Sequence, residues 1–212
     1  RAEVKMEKKG GITGKINTEK VWISGSWGKL TFGSVNSGDK KVVGQIDGDG
    51  DVPYIADKTK DAMAIYHYES NGFEFAASTS QFGAGPETFG IGIGYEQKDK
   101  WSIALGYGDD GPDNQVTLKG SLTFNKTTLT AIYQNQKSES DDAYGISAKT
   151  EFDNIELAVF AIRAHDTKVD YGMEIEYDLG GKATLYGELA RDNDPVSADS
   201  KTTAEIGFKV KF

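Results

Sequence analysis

From residue 62 onward the chain alternates apolar and polar positions in short runs. Ala62, Ala64, Tyr66 and Tyr68 alternate with His67 and Glu69; after Asn71-Gly72, Phe73, Phe75 and Ala77 alternate with Glu74, Ala76 and Ser78. Asn-Gly between two such runs is the strongest short hairpin signal, because a tight hairpin turn needs positive φ at both central residues. The same pattern then repeats. Phe89, Ile91, Ile93 and Tyr95 are each separated by a glycine, and Lys98-Asp99 leads into Trp101, Ile103, Leu105 and Tyr107. Val116, Leu118, Leu122 and Phe124 turn at Asn125-Lys126 into Leu129, Ala131 and Tyr133. Tyr144, Ile146, Ala148 and Phe152 turn at Asp153-Asn154 into Ile155, Leu157, Val159 and Ala161. Tyr171, Met173, Ile175 and Tyr177 turn at Gly180-Gly181 into Ala183, Leu185 and Leu189, and Ala204, Ile206, Phe208, Val210 and Phe212 follow. Period-2 alternation predicts antiparallel strands with one apolar face.

Before residue 62 the pattern is weaker. Residues 1–9 alternate loosely, Gly10-Gly11 marks a turn, and 12–18 reads as a poor strand. Residues 21–27 read as a better one, and Gly28-Lys29 turns the chain into Leu30 and Phe32. The expected total is about fifteen strands, each compatible with the ~9–11 residues of a tilted membrane strand. Short turns take turns with the polar connections 81–87, 109–114, 136–142, 165–168 and 192–200, so one end of the sheet is short and the other ragged. The stretch 33–61, GSVNSGDKKVVGQIDGDGDVPYIADKTKD, holds no alternation for long. A structureless connection of roughly 25–30 residues is unusual in a compact domain, and is functional or disordered.

Composition narrows the class. Apolar residues are 37% of the 212, glycine is frequent at 26, cysteine is absent and the net charge is −9. The acidic balance argues against a nucleic-acid partner. Without cysteine there is no disulfide framework and no thiolate zinc site. No run approaches the ~18 apolar residues of a membrane-spanning helix. Two architectures share the alternation: a soluble sandwich, whose apolar face packs on a second sheet, and a membrane barrel, whose apolar face meets lipid while its polar face lines a channel. Three features favour the barrel. The polar faces carry bulky charges, as at Glu174, Glu176, Lys209 and Lys211; the apolar faces are dotted with Ala and Gly; and the order is an all-meander with one-sided short turns. Aromatics such as Tyr95, Trp101, Tyr107, Phe124, Tyr133 and Phe152 also stand near the ends of the apolar faces, where a membrane interface would meet them.

The chain resembles a bacterial outer-membrane general porin of the alphaproteobacterial type. The resemblance covers essentially the whole chain and is carried by VWISGSWGKLTFGSV (21–35), DVPYI (51–55), AIYHYESNGFEFAAS (64–78), YDLGGKATLYG (177–187) and IGFKVKF (206–212). It implies an all-β, antiparallel up-and-down transmembrane β-barrel of sixteen strands, one domain over 1–212, assembled as a homotrimer among outer-membrane lipid and lipopolysaccharide. It implies a long third loop, here 33–61, folded into the pore after the fifth strand. With about fifteen strands expected, the sequence is read as lacking an N-terminal strand and some loop residues. The implied function is passive diffusion of small hydrophilic solutes and ions, without catalysis and with weak cation preference. The alternatives are an outer-membrane barrel enzyme and a soluble β-rich carbohydrate-binding module. A terminal Phe, here Phe212, is implied as an assembly mark.

The candidate constriction follows from that loop. Asp39, Asp47, Asp49, Asp51 and Asp57 would face a basic wall drawn from Arg1, Lys5, Lys15 and Lys29. Opposed charges across a narrowing orient polar solutes and set ion preference. Val42, Val43, Ile46, Val52, Tyr54 and Ile55 are the apolar candidates to pin the loop. Asp47, Asp49 and Asp51 open like a calcium loop, but the sixth and twelfth positions are Val52 and Lys58 rather than Gly and Glu. A looser calcium site at Asp47, Asp49 and Asp51 stays open, and no other cofactor is expected. His67 has channel parity, and a lone polar strand residue accounts for it. No Ser or Cys nucleophile stands near a paired His, and Glu174 with Glu176 is explained by a wet wall better than by a glycosidase pair.

Overall fold

The computed structural model describes residues 3–10, 16–46, 62–80, 87–111, 113–193 and 200–210. Fourteen strands form one antiparallel sheet in sequence order. They are β1 (Glu3–Gly10), β2 (Ile16–Gly25), β3 (Gly28–Val35), β4 (Ala62–Ser70), β5 (Phe73–Thr79), β6 (Phe89–Gln97) and β7 (Trp101–Asp109). The sheet continues through β8 (Asn114–Phe124), β9 (Thr127–Gln136), β10 (Ala143–Phe152), β11 (Ile155–Arg163), β12 (Val169–Gly180), β13 (Ala183–Asp192) and β14 (Lys201–Val210). A short helix, α1 (Gly38–Val43), follows β3. Every ladder joins neighbours in sequence, which is the up-and-down order of a meander barrel. Among the described residues no ladder joins β1 to β14. No described helix is long and apolar enough to cross a membrane.

The described part of the expected strand 12–18, residues 16–18, runs on into 21–25 as one strand. Thr18, Glu19, Lys20 and Val21 pair in unbroken register with Lys9, Lys8, Glu7 and Met6. No Gly, Pro, Asn or Asp stands at 18–21 to break the ladder. The long connection therefore leaves the third described strand, not the fourth. Two turns also sit elsewhere than expected: Ser26-Trp27 rather than Gly28-Lys29, and Gly181-Lys182 rather than Gly180-Gly181. Both central residues of the second turn have positive φ, 61° and 67°. The Asn71-Gly72 turn is as expected, with φ of 52° and 82°, the pair of signs a type I′ hairpin needs.

The sheet is one layer thick, and its apolar face is uncovered. Ile93, Ile103, Leu105, Leu118, Leu122, Leu129, Ile146 and Leu189 all lie exposed on it. A sandwich would cover this face; lipid covers it in a barrel. The aromatic side chains border the face in two belts. Phe73, Tyr95, Trp101, Phe124, Phe152 and Tyr177 lie toward the short-turn end, and Phe89, Tyr107, Tyr133, Tyr144 and Tyr171 toward the long-loop end. Along β10 the belts are eight residues apart, about 26 Å of strand at ~3.3 Å per residue. Strand tilt shortens that to roughly 20 Å across the membrane, near the ~25 Å height of an apolar band. The buried apolar cluster lies on the other, inward face, and includes Val42, Val43 and Ile46 from the 33–61 connection.

Candidate functional site

The inward face is built around α1. After Val35 the chain leaves the ladder, and α1 lies against the inner surfaces of β5, β6 and β7. Its seat is made of absent side chains. A Cβ at Gly92 would stand 2.6 Å from the Gly38 carbonyl and 2.7 Å from Val42 Cβ. One at Gly106 would meet Val43 Cγ2 and Asp39 Cβ at 2.9 Å, and one at Gly90 would meet Asp39 Oδ1 at 2.5 Å. The glycines between Phe89 and Tyr95 thus let backbone approach backbone. Val42, Val43 and Ile46 are buried there, Val43 completely.

Polar groups complete the attachment. The Gly38 N–H donates to Ser78 Oγ at 2.8 Å. Gln115 Nε2 donates to Asp39 Oδ2 at 3.0 Å, and Lys119 Nζ donates to the Gln45 carbonyl at 3.1 Å. At the other flank of the helix, Lys41 Nζ lies 3.7 Å from Glu74 Oε1. The helix is therefore tied to the inside of the sheet by β5 and β8 as well as seated on β6 and β7.

This placement corrects one expected constriction residue. Asp39 is only 2% exposed, so it anchors the connection to the wall rather than presenting its carboxylate to a water column. Of the expected apolar pins, Val42, Val43 and Ile46 are in place; Val52, Tyr54 and Ile55 lie outside the described residues. Asp47, Asp49, Asp51, Asp57, Arg1 and Lys15 also lie outside them. Lys5 is on β1, opposite Trp22 in register. Lys29 is the second residue of β3, at the short-turn end, in register with His67, with its Nζ 4.6 Å from the Trp22 ring centroid.

The far wall is acidic. Glu156, Glu174, Glu176, Glu188 and Glu205 face inward on β11 to β14, and the register sets Glu156 beside Glu176, and Glu174 and Glu205 on either side of Glu188. Two lysines answer them: Lys149 Nζ is 2.7 Å from Glu156 Oε1, and Lys209 Nζ is 2.8 Å from Glu176 Oε1. Tyr186 donates to Glu205 Oε1 at 2.6 Å. These glutamates, with Glu151 opposite Glu156 in register, outnumber the paired Lys149 and Lys209 and leave this stretch of the wall negative.

His67 is not alone either. Its Nε2 lies 2.8 Å from Glu74 Oε1 and 3.0 Å from Glu69 Oε1. The signal was present in the Asn71-Gly72 turn. A two-residue hairpin fixes the register, which places Glu74 directly opposite Glu69 and two positions from His67.

At the long-loop end, carboxylates tie the outer connections together. Ser138 donates to Asp113 through its N–H at 3.0 Å and its hydroxyl at 2.6 Å. Burial raises the Asp113 pKa, but hydrogen bonds from Ser138 and Gln136 outweigh it and hold the carboxyl below its usual range. Asn135 and Tyr133 donate to Asp142 at 2.8 and 2.7 Å and lower its pKa likewise. Arg163 pairs with Asp141 at 2.5 Å.

Comparison with known proteins agrees with this architecture. The model of the Gram-negative porin family matches residues 1–195. The chain is 28% identical to a porin of Rhodobacter capsulatus over 97% of its own length and 84% of that protein. A solved porin structure matches with a TM-score of 0.73 at 21% identity, over 100% of this chain and 92% of that one. A triple variant of the Rhodopseudomonas blastica porin matches with a TM-score of 0.72 at 18% identity, over 98% and 82%. With the family model matched over most of its length, the chain belongs to the Gram-negative porins.

Proposed function

We propose that this porin passes small hydrophilic solutes and ions through an aperture narrowed by the 33–61 connection, with weak preference for cations, and works as a homotrimer among outer-membrane lipid and lipopolysaccharide. Passive diffusion across the bacterial outer membrane is the activity of the family. The observation that carries the finer reading is the seating of α1 on Gly90, Gly92 and Gly106 inside the sheet. A segment held there by Ser78, Gln115 and Lys119 takes up cross-section that solutes would otherwise use. The cation preference is supported by the glutamates of β11 to β14 and by the aspartates of the connection. Charge in a thin water column with low-dielectric walls acts more strongly than on an open surface.

Reconstitution in planar bilayers under a salt gradient tests this. Asp47→Asn with Asp49→Asn is expected to shift the reversal potential toward anions. Asp141→Asn with Asp142→Asn is expected to leave it unchanged, because bulk salt screens outer-loop charges within about 8–10 Å. Unchanged conductance and selectivity after deletion of 40–58 would place the connection outside the permeation path.

A further inference from the structure

We infer that His67, Glu69 and Glu74 form a binding site for a divalent first-row transition cation on the channel wall, beside the foot of α1. The three residues come from two paired strands, so their spacing is fixed by the ladder. His67 and Glu69 are two apart on one inward face of β4, and Glu74 on β5 is the direct cross-strand partner of Glu69. Like charges directly opposite each other destabilise a strand pair, so the arrangement favours a cation between them. One ligand atom from each residue can be chosen so that all three lie within 4.8 Å of one another.

The chemistry of the set selects the ion. Both carboxylates converge on one imidazole nitrogen, at 2.8 and 3.0 Å. Without metal, Nε2–H donates to them. With the proton on Nδ1 instead, Nε2 offers its lone pair to a metal. Zinc bonds of ~2.0–2.2 Å at tetrahedral angles put neighbouring ligand atoms roughly 3.3–3.5 Å apart. The two nitrogen–oxygen contacts need to open by about half an ångström, and the two carboxylate oxygens, within 4.8 Å of each other, need to settle at the same spacing, both of which side-chain torsions supply. One nitrogen and two carboxylates suit zinc and its neighbours, whereas calcium takes six to eight oxygens. The fourth position faces the channel, because Glu69 is 62% exposed while His67 is held at 16%.

Lys41 is the built-in competitor. Its Nζ lies 3.7 Å from Glu74 Oε1, the same oxygen that His67 contacts. A bound dication would displace Lys41 and leave added positive charge where α1 meets the wall. On the channel reading above, that lowers cation current.

Calorimetry on the purified porin in detergent, with zinc chloride as the probe, tests the site without reference to transport. One saturable zinc per chain is expected, not displaced by calcium. His67→Gln and Glu69→Gln should each weaken binding about tenfold or more, since even changes outside the ligand shell cost ~10–100-fold. Glu69 is exposed enough for its variant to fold, and the heat-sensitive gel mobility of each variant checks this. His165→Gln, at the only other histidine, should bind like the parent, and Lys41→Met should bind more tightly. Absence of saturable zinc binding, equal binding in the His67→Gln variant, or displacement by calcium overturns the site. Zinc that binds without changing bilayer currents leaves the site standing and overturns its coupling to permeation. Failure to conduct even without zinc would instead overturn the channel reading.

Discussion

A methyl group at position 92 has no room. The atoms it would strike, the Gly38 carbonyl and Val42 Cβ, belong to backbone and to a β-branched side chain that cannot swing aside. Gly92→Ala is therefore expected to lift α1 from the wall while the strands stay paired, seen as broadened open-channel current levels at unchanged unheated gel mobility. Gly120 is the control, since a Cβ there meets nothing nearer than 3.7 Å and Gly120→Ala should be silent in both measurements. Asp39 gives a second residue-level expectation. Asp39→Leu removes the acceptor that Gln115 uses, at a cost of about 1–3 kcal/mol to loop docking. Limited proteolysis should then cut within 33–61 faster than in the parent, and an unchanged rate would deny Asp39 its anchoring part.

At the scale of elements, the outer connections carry their own pH dependence. The carboxyls of Asp113 and Asp142 are held below their usual range by donors from 133–138. A depressed carboxylate contributes stability that is present above its unfolded pKa of ~3.9 and is lost as pH falls through the folded value. Protection of the amides in 137–142, taken relative to the free-chain exchange rate at each pH, should therefore persist at neutral pH and be lost only below about pH 4. Loss of protection already at about pH 6 would deny Asp113 and Asp142 that part. Hairpins such as these were legible in the sequence, because Asn71-Gly72 and Asp153-Asn154 state their turn chemistry locally. The continuity of 16–18 with 21–25 in one strand was not, because a weakly alternating strand is completed by its partner rather than by its own residues. Nor was the seat of α1: the glycines after Phe89 were legible only as spacers between apolar residues, and the sequence does not state what approaches them on the inner face. The anchors Val42, Val43 and Ile46 could be named from the sequence, but Asp39 could not be told from the other aspartates, since irregular backbone has no parity.

At the scale of the whole molecule, the uncovered apolar face and its two aromatic belts require a lipid surround. Leu105, 47% exposed and midway between Trp101 and the loop end of β7, is a fair probe of depth. Leu105→Arg should cost about 2–4 kcal/mol near the midplane, read from refolding into vesicles against denaturant. A spin label there should report hydrocarbon, and a report of water would reverse the assignment of faces. On the proposed reading, two separate parts of the inward face set what the channel admits and how it discriminates. On that reading the width left for a solute depends on how closely α1 approaches β6 and β7, which is decided by glycines that carry no charge. The ion preference proposed above rests in part on the glutamates of β11 to β14, strands that do not touch that seat. Size exclusion and charge preference can thus drift apart in descent or be engineered independently: one methyl on the wall retunes the sieve, and one amide on the far strands retunes the field.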